Sequence, residues 1–477
     1  MAKPEFDIVV IGGGAGGLVV AAGGAALGAK IALVEKHKMG GDCLNYGCVP
    51  SKTLLKSAKI AHQMRTADHW NIPPHSPEPD IAHVMSRVEQ VIAGIAPNDS
   101  VERFQGLGVD VMLGDGKFIA SDCFEVNGRK LTARTFVIAT GSRPGVPPIP
   151  GLDSVRYLTN ETVFDLREQV PTMIVIGGGP IGCEMAQAFC RLGTKVTIVD
   201  MAPQILPRED EDLVRVVQNQ MQHDGVTFIN DIKIVRVEKS DGAGIRMIIQ
   251  GKDGAERTLE ATHLLVAAGR RVNIEGLGLE AAGVDVQKGR ITCDETLRTT
   301  NPHIYVCGDV AGGAQFTHIA GHHAGVFLRH AIFRMSWAKP SVHIPWCTYT
   351  DPELARIGLS EAEAKKAGTE FKVYKFGFDE IDRARAEGET EGFAKVLTDP
   401  KGKILGAAIV GPHAGDVIAE YVLAVNQGLK LNALAGITHI YPTFAEINKR
   451  VADQRLKEGL TPSSKQWIKR IFGLQGA

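Results

Sequence analysis

Residues 6–36 read FDIVVIGGGAGGLVVAAGGAALGAKIALVEK. An apolar, β-rich run, Ile8 to Ile11, meets Gly12-x-Gly14-x-x-Gly17. A helix rich in Ala and Gly follows, then a second apolar run that ends on Glu35. Strand, glycine turn, helix and strand in this order form a βαβ unit. The three glycines serve a tight turn, close approach of backbone to a pyrophosphate, and close packing of helix on strand. The helix start offers unpaired N–H groups and a positive dipole end to phosphates. Glu35 ends the second strand, where a carboxylate accepts adenosine ribose hydroxyls. Residues 8–29 carry no charge and are long enough to cross a bilayer. Their glycines and central turn read instead as parts of a soluble fold, and no basic, cleavable signal pattern accompanies them.

The unit returns at 172–200, TMIVIGGGPIGCEMAQAFCRLGTKVTIVD, with Gly177, Gly179 and Gly182 as its glycines and Asp200 as its strand-end acid. Two dinucleotide sites in one chain predict electron transfer from one dinucleotide to the other. Asp200 suits a ribose 2′-OH and repels a 2′-phosphate, so NADH is expected over NADPH. TFVIATGSRPG (135–145) and HLLVAAGRRVN (263–273) each read as a strand ending in a small-residue turn that passes close to a cofactor. They supply Thr140, Gly141, Ser142 and Gly269. HIYVCGDVAGG (303–313) delivers Asp309 at a strand end, placed for the hydroxyls of a ribityl chain. From about residue 343 short strands (FKVYKF, GFAKVLTD, ILGAAIVG) alternate with helices, which predicts an α+β domain with an antiparallel sheet.

The chain has 477 residues, 53 basic and 54 acidic. That length buries a large core without a disulfide staple. Near-neutral charge argues against a nucleic-acid partner, since no basic excess is present to neutralise phosphates. Of eight cysteines, only Cys43 and Cys48 form a close pair, in GGDCLNYGCVPSK (40–52). The other six read as small buried hydrophobes, and a cytoplasmic setting is expected.

A zinc-type metal site needs about four ligands, and no second cysteine pair or histidine cluster lies near, so no metal is expected. A static bridge fits a reducing compartment poorly. A redox pair is the favoured reading. In regular α-helix, residues five apart lie about 7.5 Å apart along the axis and about 140° around it. Disulfide Cα atoms lie closer than about 7 Å. The stretch 43–48 therefore departs from helix if the pair bonds, with Gly47 as the break. Pro50 is expected at the first position of a helix running through SKTLLKSAKIAH. Cys48 then sits at a helix start, which favours its thiolate.

GGDCLNYGCVPSK after a first glycine motif, then ATGSRP, a second glycine motif, CGDVAGG and YPTFAEINK resembles the flavin-dependent pyridine nucleotide–disulfide oxidoreductases over nearly the whole chain. The branch resembled holds dihydrolipoamide dehydrogenase, glutathione reductase and mercuric reductase, with mercuric-reductase-like members nearest. The resemblance implies an α/β fold: two Rossmann-like dinucleotide-binding domains and a C-terminal α+β dimerisation domain. FAD is implied in 1–150 with 275–340 returning to it, NAD(P)H in 151–274, and the dimer interface in 343–460. It implies a homodimer with a shared active site that takes a small-molecule substrate. Cys48 would be the flavin-side thiolate and Cys43 the exchange thiol. Lys52 would lie by the flavin and pair with Glu184. Gly116, Gln315, Phe316, Thr317 and His318 complete the expected cofactor contacts.

At the C-terminus the family's His-Pro…Glu motif becomes HIYPTFAE (439–446): Glu446 matches, but Tyr441 replaces the catalytic histidine. Tyrosine titrates near 10 and is a poor base at neutral pH. This disfavours a lipoyl dehydrogenase. The Cys43/Cys48/Lys52/Glu184 set disfavours a non-enzymatic flavin sensor. Mercuric reductases resemble the chain in having tyrosine there, but this chain has no cysteine after Cys347. Pro180 stands where a tyrosine often gates the nicotinamide pocket, and Val272 replaces a proline. The tail 461–477 reads as a small basic amphipathic helix. Packing against the dimer is favoured for it, with membrane contact as the alternative.

Overall fold

The computed structural model describes residues 3–240 and 244–476. The opening run forms β1 (Phe6–Ile11), α1 (Ala15–Ala26) and β2 (Ile31–Glu35). β1 and β2 pair in parallel, Ile8 opposite Ile31 through Ile11 opposite Val34. Among the described residues they join a seven-stranded sheet. Strand Arg129–Ile138 is its pivot. Its first residues pair antiparallel with Cys123–Val126, and its last pair in parallel with β1 on one side and with Ile304–Val306 on the other. The strand that precedes Asp309 thus returns to the first sheet after the 165 residues between Ile138 and Ile304.

The second unit repeats the register. Strands Thr172–Ile176 and Lys195–Val199 pair in parallel, flanked by Thr227–Ile229 and His263–Val266. Helix Pro180–Arg191 links the central pair, with Pro180 at its first position, where a missing N–H costs nothing. Residues 346–411 form a five-stranded antiparallel sheet. Two of its strands, Trp346–Thr348 and Glu353–Gly358, are additions to those read from sequence. Separate buried apolar clusters lie behind the first sheet, behind the second and behind the third. Among the described residues no helix is long and apolar enough to cross a membrane.

The redox stretch folds as α2 (Gly41–Asn45) and α3 (Cys48–Arg65), broken at Tyr46–Gly47. Pro50 is not the first helical residue but the third, because Cys48 already has helical geometry. That position still lies in the first turn, where N–H groups have no intrahelical acceptor. Of the six other cysteines only Cys183 and Cys307 are buried; Cys123, Cys190, Cys293 and Cys347 are half-buried. Cys123 and Cys347 lie on strands, Cys190 on helix Pro180–Arg191, and Cys293 in an isolated bridge to Thr299.

Candidate active site

The two βαβ units present matching cradles. Gly12 and Gly177 adopt φ of +110° and +105°, a region open at low cost only to glycine. A Cβ on Gly17 would fall 1.9 Å from the Gly12 carbonyl oxygen, and one on Gly182 would fall 1.9 Å from that of Gly177. By contrast a Cβ on Gly179 would meet nothing within 4 Å, and on Gly14 only Gly41 Cα at 3.7 Å. Open space therefore lies over the middle glycine, where a pyrophosphate needs it. Neither helix start has a side-chain cap, so its N–H groups are free for an anion. Glu35 is fixed by the Gly13 and His37 N–H groups, each at 2.6 Å. Asp200 is fixed likewise by Gly178 (2.5 Å) and Ala202 (2.7 Å).

Both cradles open into one cavity of about 1580 Å³, beyond the roughly 300–1,000 Å³ of a single ligand site. Gly12, Gly14, Gly116, Thr140, Gly141, Ser142, Gly269, Asp309 and Gln315 to His318 line it, together with Gly177, Gly179 and Asp200. A polar chain crosses its floor. The Ser142 hydroxyl donates to Asp309 at 2.6 Å, Arg270 Nε donates to that hydroxyl at 2.7 Å, and Arg270 Nη2 reaches Asp42 at 3.1 Å. Burial pushes the Asp309 carboxyl up, against Ser142 and Arg270. These donors, glycine contacts and strand-end acids fit two dinucleotides. Glu35, Ser142 and Asp309 would hold the first and Asp200 the second.

Cys43 and Cys48 are free thiols facing this cavity. A hydrogen bond from Cys43, with help from the Thr317 hydroxyl 3.4 Å away and from Lys52, lowers the Cys48 pKa to about 6 against burial. The same hydrogen bond and burial push Cys43 well up. Both shifts favour a proton on Cys43 and a thiolate on Cys48, which is the first residue of α3. Lys52 Nζ donates to Glu184 Oε2 at 2.6 Å, and Glu184 Oε1 accepts from the Tyr349 N–H at 2.9 Å. Lys52 also lies 4.4 Å from the Tyr349 ring centroid.

Arg270, Asp42, Trp346 and Tyr349 escaped the sequence reading. The doubled arginine after Gly269 was the available signal for the first, and the aromatics carried none. The rings of Trp346, Phe316 and His318 run nearly parallel along one cavity wall. The buried Arg356 guanidinium lies 4.3 Å behind Trp346, and the indole N–H donates to Glu209 at 2.7 Å.

The C-terminal candidates lie elsewhere in the chain. Tyr441 is 64% exposed and its hydroxyl donates to Asp382 at 2.9 Å, a contact that raises the phenol pKa further. Glu446 is buried and pairs with Arg450, but among the described residues its Oε2 has no hydrogen-bond partner. His439 is held by Glu420 at 3.0 Å within its own domain.

A family model described as pyridine nucleotide-disulphide oxidoreductase matches residues 6–324, and that family's dimerisation domain matches 344–452. Mercuric reductase of Bacillus cereus is 35% identical over 93% of this chain and 70% of its own length. Dihydrolipoyl dehydrogenase of Bacillus subtilis is 34% identical over 93% of this chain and 96% of its own. The solved HOCl-induced flavoprotein disulfide reductase RclA from Escherichia coli superposes with a TM-score of 0.83 at 27% identity, covering 94% and 99% of the two chains. The two cradles and the thiol pair are those of a flavoprotein oxidoreductase, and the chain belongs to the pyridine nucleotide-disulphide oxidoreductase family. The family is FAD-dependent and works with NAD(P)H, and the matched dimerisation domain supports a homodimer.

Proposed function

We propose that this chain is a cytoplasmic, NADH-driven reductase that uses Cys43 and Cys48 to reduce a disulfide, a metal ion or a small oxidant, in the manner of the mercuric-reductase-like members. Bound FAD supplies the two-electron relay from NADH to the thiol pair. The observation that carries the reading is the placement of that pair: Cys43 and Cys48 line the cavity shared by both nucleotide cradles, with Cys48 at the first residue of α3, 3.4 Å from the Thr317 hydroxyl, and with the Lys52–Glu184 pair lining the same cavity.

Thr317 and the helix start stabilise the Cys48 thiolate. Lys52, oriented by Glu184, keeps a positive charge beside it. Cys43 passes its proton to Cys48 and attacks an oxidised substrate as the thiolate, and the leaving group departs reduced. Cys48 then closes on Cys43, re-forming the disulfide. For a disulfide substrate, the two product thiols take the proton the pair shared and one from solvent. Tyr441 and Glu446 are assigned to the substrate side of the second subunit's cavity, where the phenol orients substrate without abstracting a proton at neutral pH. Lipoyl dehydrogenase activity is disfavoured for this reason, despite the relatives that bear that name.

Anaerobic titration of the flavoprotein with NADH is expected to raise a long-wavelength thiolate band, absent in Cys48→Ser. A wild-type protein without the band would sink the reading. A panel of glutathione disulfide, dihydrolipoamide, Hg²⁺ and hypochlorite then sorts the substrate class. The ratio of kcat/KM for NADH and NADPH is expected to favour NADH at least tenfold, since Asp200 repels a 2′-phosphate.

A further inference from the structure

The C-terminal helix Pro462–Phe472 is defined at both ends. The Thr461 hydroxyl accepts from the Ser464 N–H, and Gly473 closes it in the left-handed region. Yet no residue on it is buried. Trp467, Ile471 and Phe472 are 66, 62 and 71% exposed. At 100° per residue, these three and Ile468 fall within an arc of about 140°. Lys465 lies just beyond the Phe472 edge, Arg470 beyond the Trp467 edge, and Lys469 behind. After Glu458 the chain has no acidic residue, although its net charge is −1.

An apolar arc edged by tryptophan and bordered by cations, with no anion, is complementary to an anionic bilayer surface. The dimer-packing reading of the tail accounts for the apolar arc but not for the purely cationic charge around it. At about 1.5 Å per residue the helix is about 16 Å long, too short to span but long enough to lie in the headgroup plane. We propose that Pro462–Phe472 docks the enzyme on the surface of an anionic lipid bilayer.

The test is co-sedimentation of the full-length, flavin-loaded protein with vesicles of phosphatidylglycerol and phosphatidylcholine, against pure phosphatidylcholine. Binding at least tenfold greater on the anionic vesicles, falling as salt rises, is expected for wild type. It is expected to drop at least tenfold in W467E/F472E and in K465E/K469E, with the dimer intact by light scattering. Absence of wild-type binding overturns the proposal, and so does binding indifferent to salt or to both variants. Dissociation of the dimer in W467E/F472E overturns it in favour of a second copy on this face. The wild-type salt series stands even if a variant fails to fold.

Discussion

The Cys43 proton is what separates the two thiols. Removing it in Cys43→Ala takes away the largest factor that lowers Cys48. The Cys48 pKa is expected to rise from about 6 toward the ordinary value, read from thiolate ultraviolet absorbance against pH. In wild type the thiolate is expected to persist above about pH 6 and to be lost below it; an unchanged midpoint in the variant would show that Lys52 and Thr317 suffice. The glycines allow a paired experiment. Gly17→Ala puts a methyl on the Gly12 carbonyl oxygen, so purified protein is expected to have lost its flavin. Gly182→Ala is expected to keep flavin and weaken NADH binding at least tenfold by calorimetry. These residues were legible because glycine, acid and cysteine spacing encodes local backbone geometry. Trp346 and Arg270 were not, because their roles depend on contacts across more than a hundred residues that no local pattern records.

At the scale of elements, α3 is tied to its neighbours by charge. Lys59 on α3 donates to Asp351 at 3.0 Å, and Arg191, on the helix of the second cradle, reaches Asp351 at 2.7 Å and Asp224 at 2.8 Å. The Arg191 side chain is 4% exposed. Arg191→Met leaves two carboxylates short of their partner and is expected to cost about 3–5 kcal/mol, measured by denaturant unfolding. Burial pushes the Asp351 carboxyl up, but Arg191 and Lys59 outweigh it and leave it below its ordinary value. Its contribution to stability is therefore full above the ordinary carboxylate range and lost as pH falls through the depressed value. Acid midpoints for wild type and R191M should differ accordingly. Helix boundaries were less legible than the elements themselves. The start of α3 fell two residues before Pro50 because Gly47, not the proline, ends the preceding turn.

For the whole molecule, the sequence indicated the βαβ repeat and the antiparallel third sheet, since both follow from periodicity. It left open what Tyr441 meets, since nothing in local spacing describes a second subunit. Glu446 is buried, and its Oε2 has no hydrogen-bond partner among the described residues. Tyr441→His places at this position the base that the family resemblance leads one to expect, and is expected to raise dihydrolipoamide oxidation about a hundredfold or more, the low end of what a positioned base contributes. NADH reduction of the thiol pair should be unchanged, because it is completed on the other side of the cavity. A variant with no gain would place Tyr441 outside the substrate path.

The anchoring of α3 also bears on modularity. Lys52 leans on Glu184, Arg65 donates to the Arg191 carbonyl, and Lys59 meets Asp351, so the redox helix is braced by the second cradle and the third sheet at once. A chimaera that swaps residues 151–274 for those of a relative will keep both nucleotide cradles yet misplace the thiols unless the donor brings Glu184, Arg191 and Asp224 as a set.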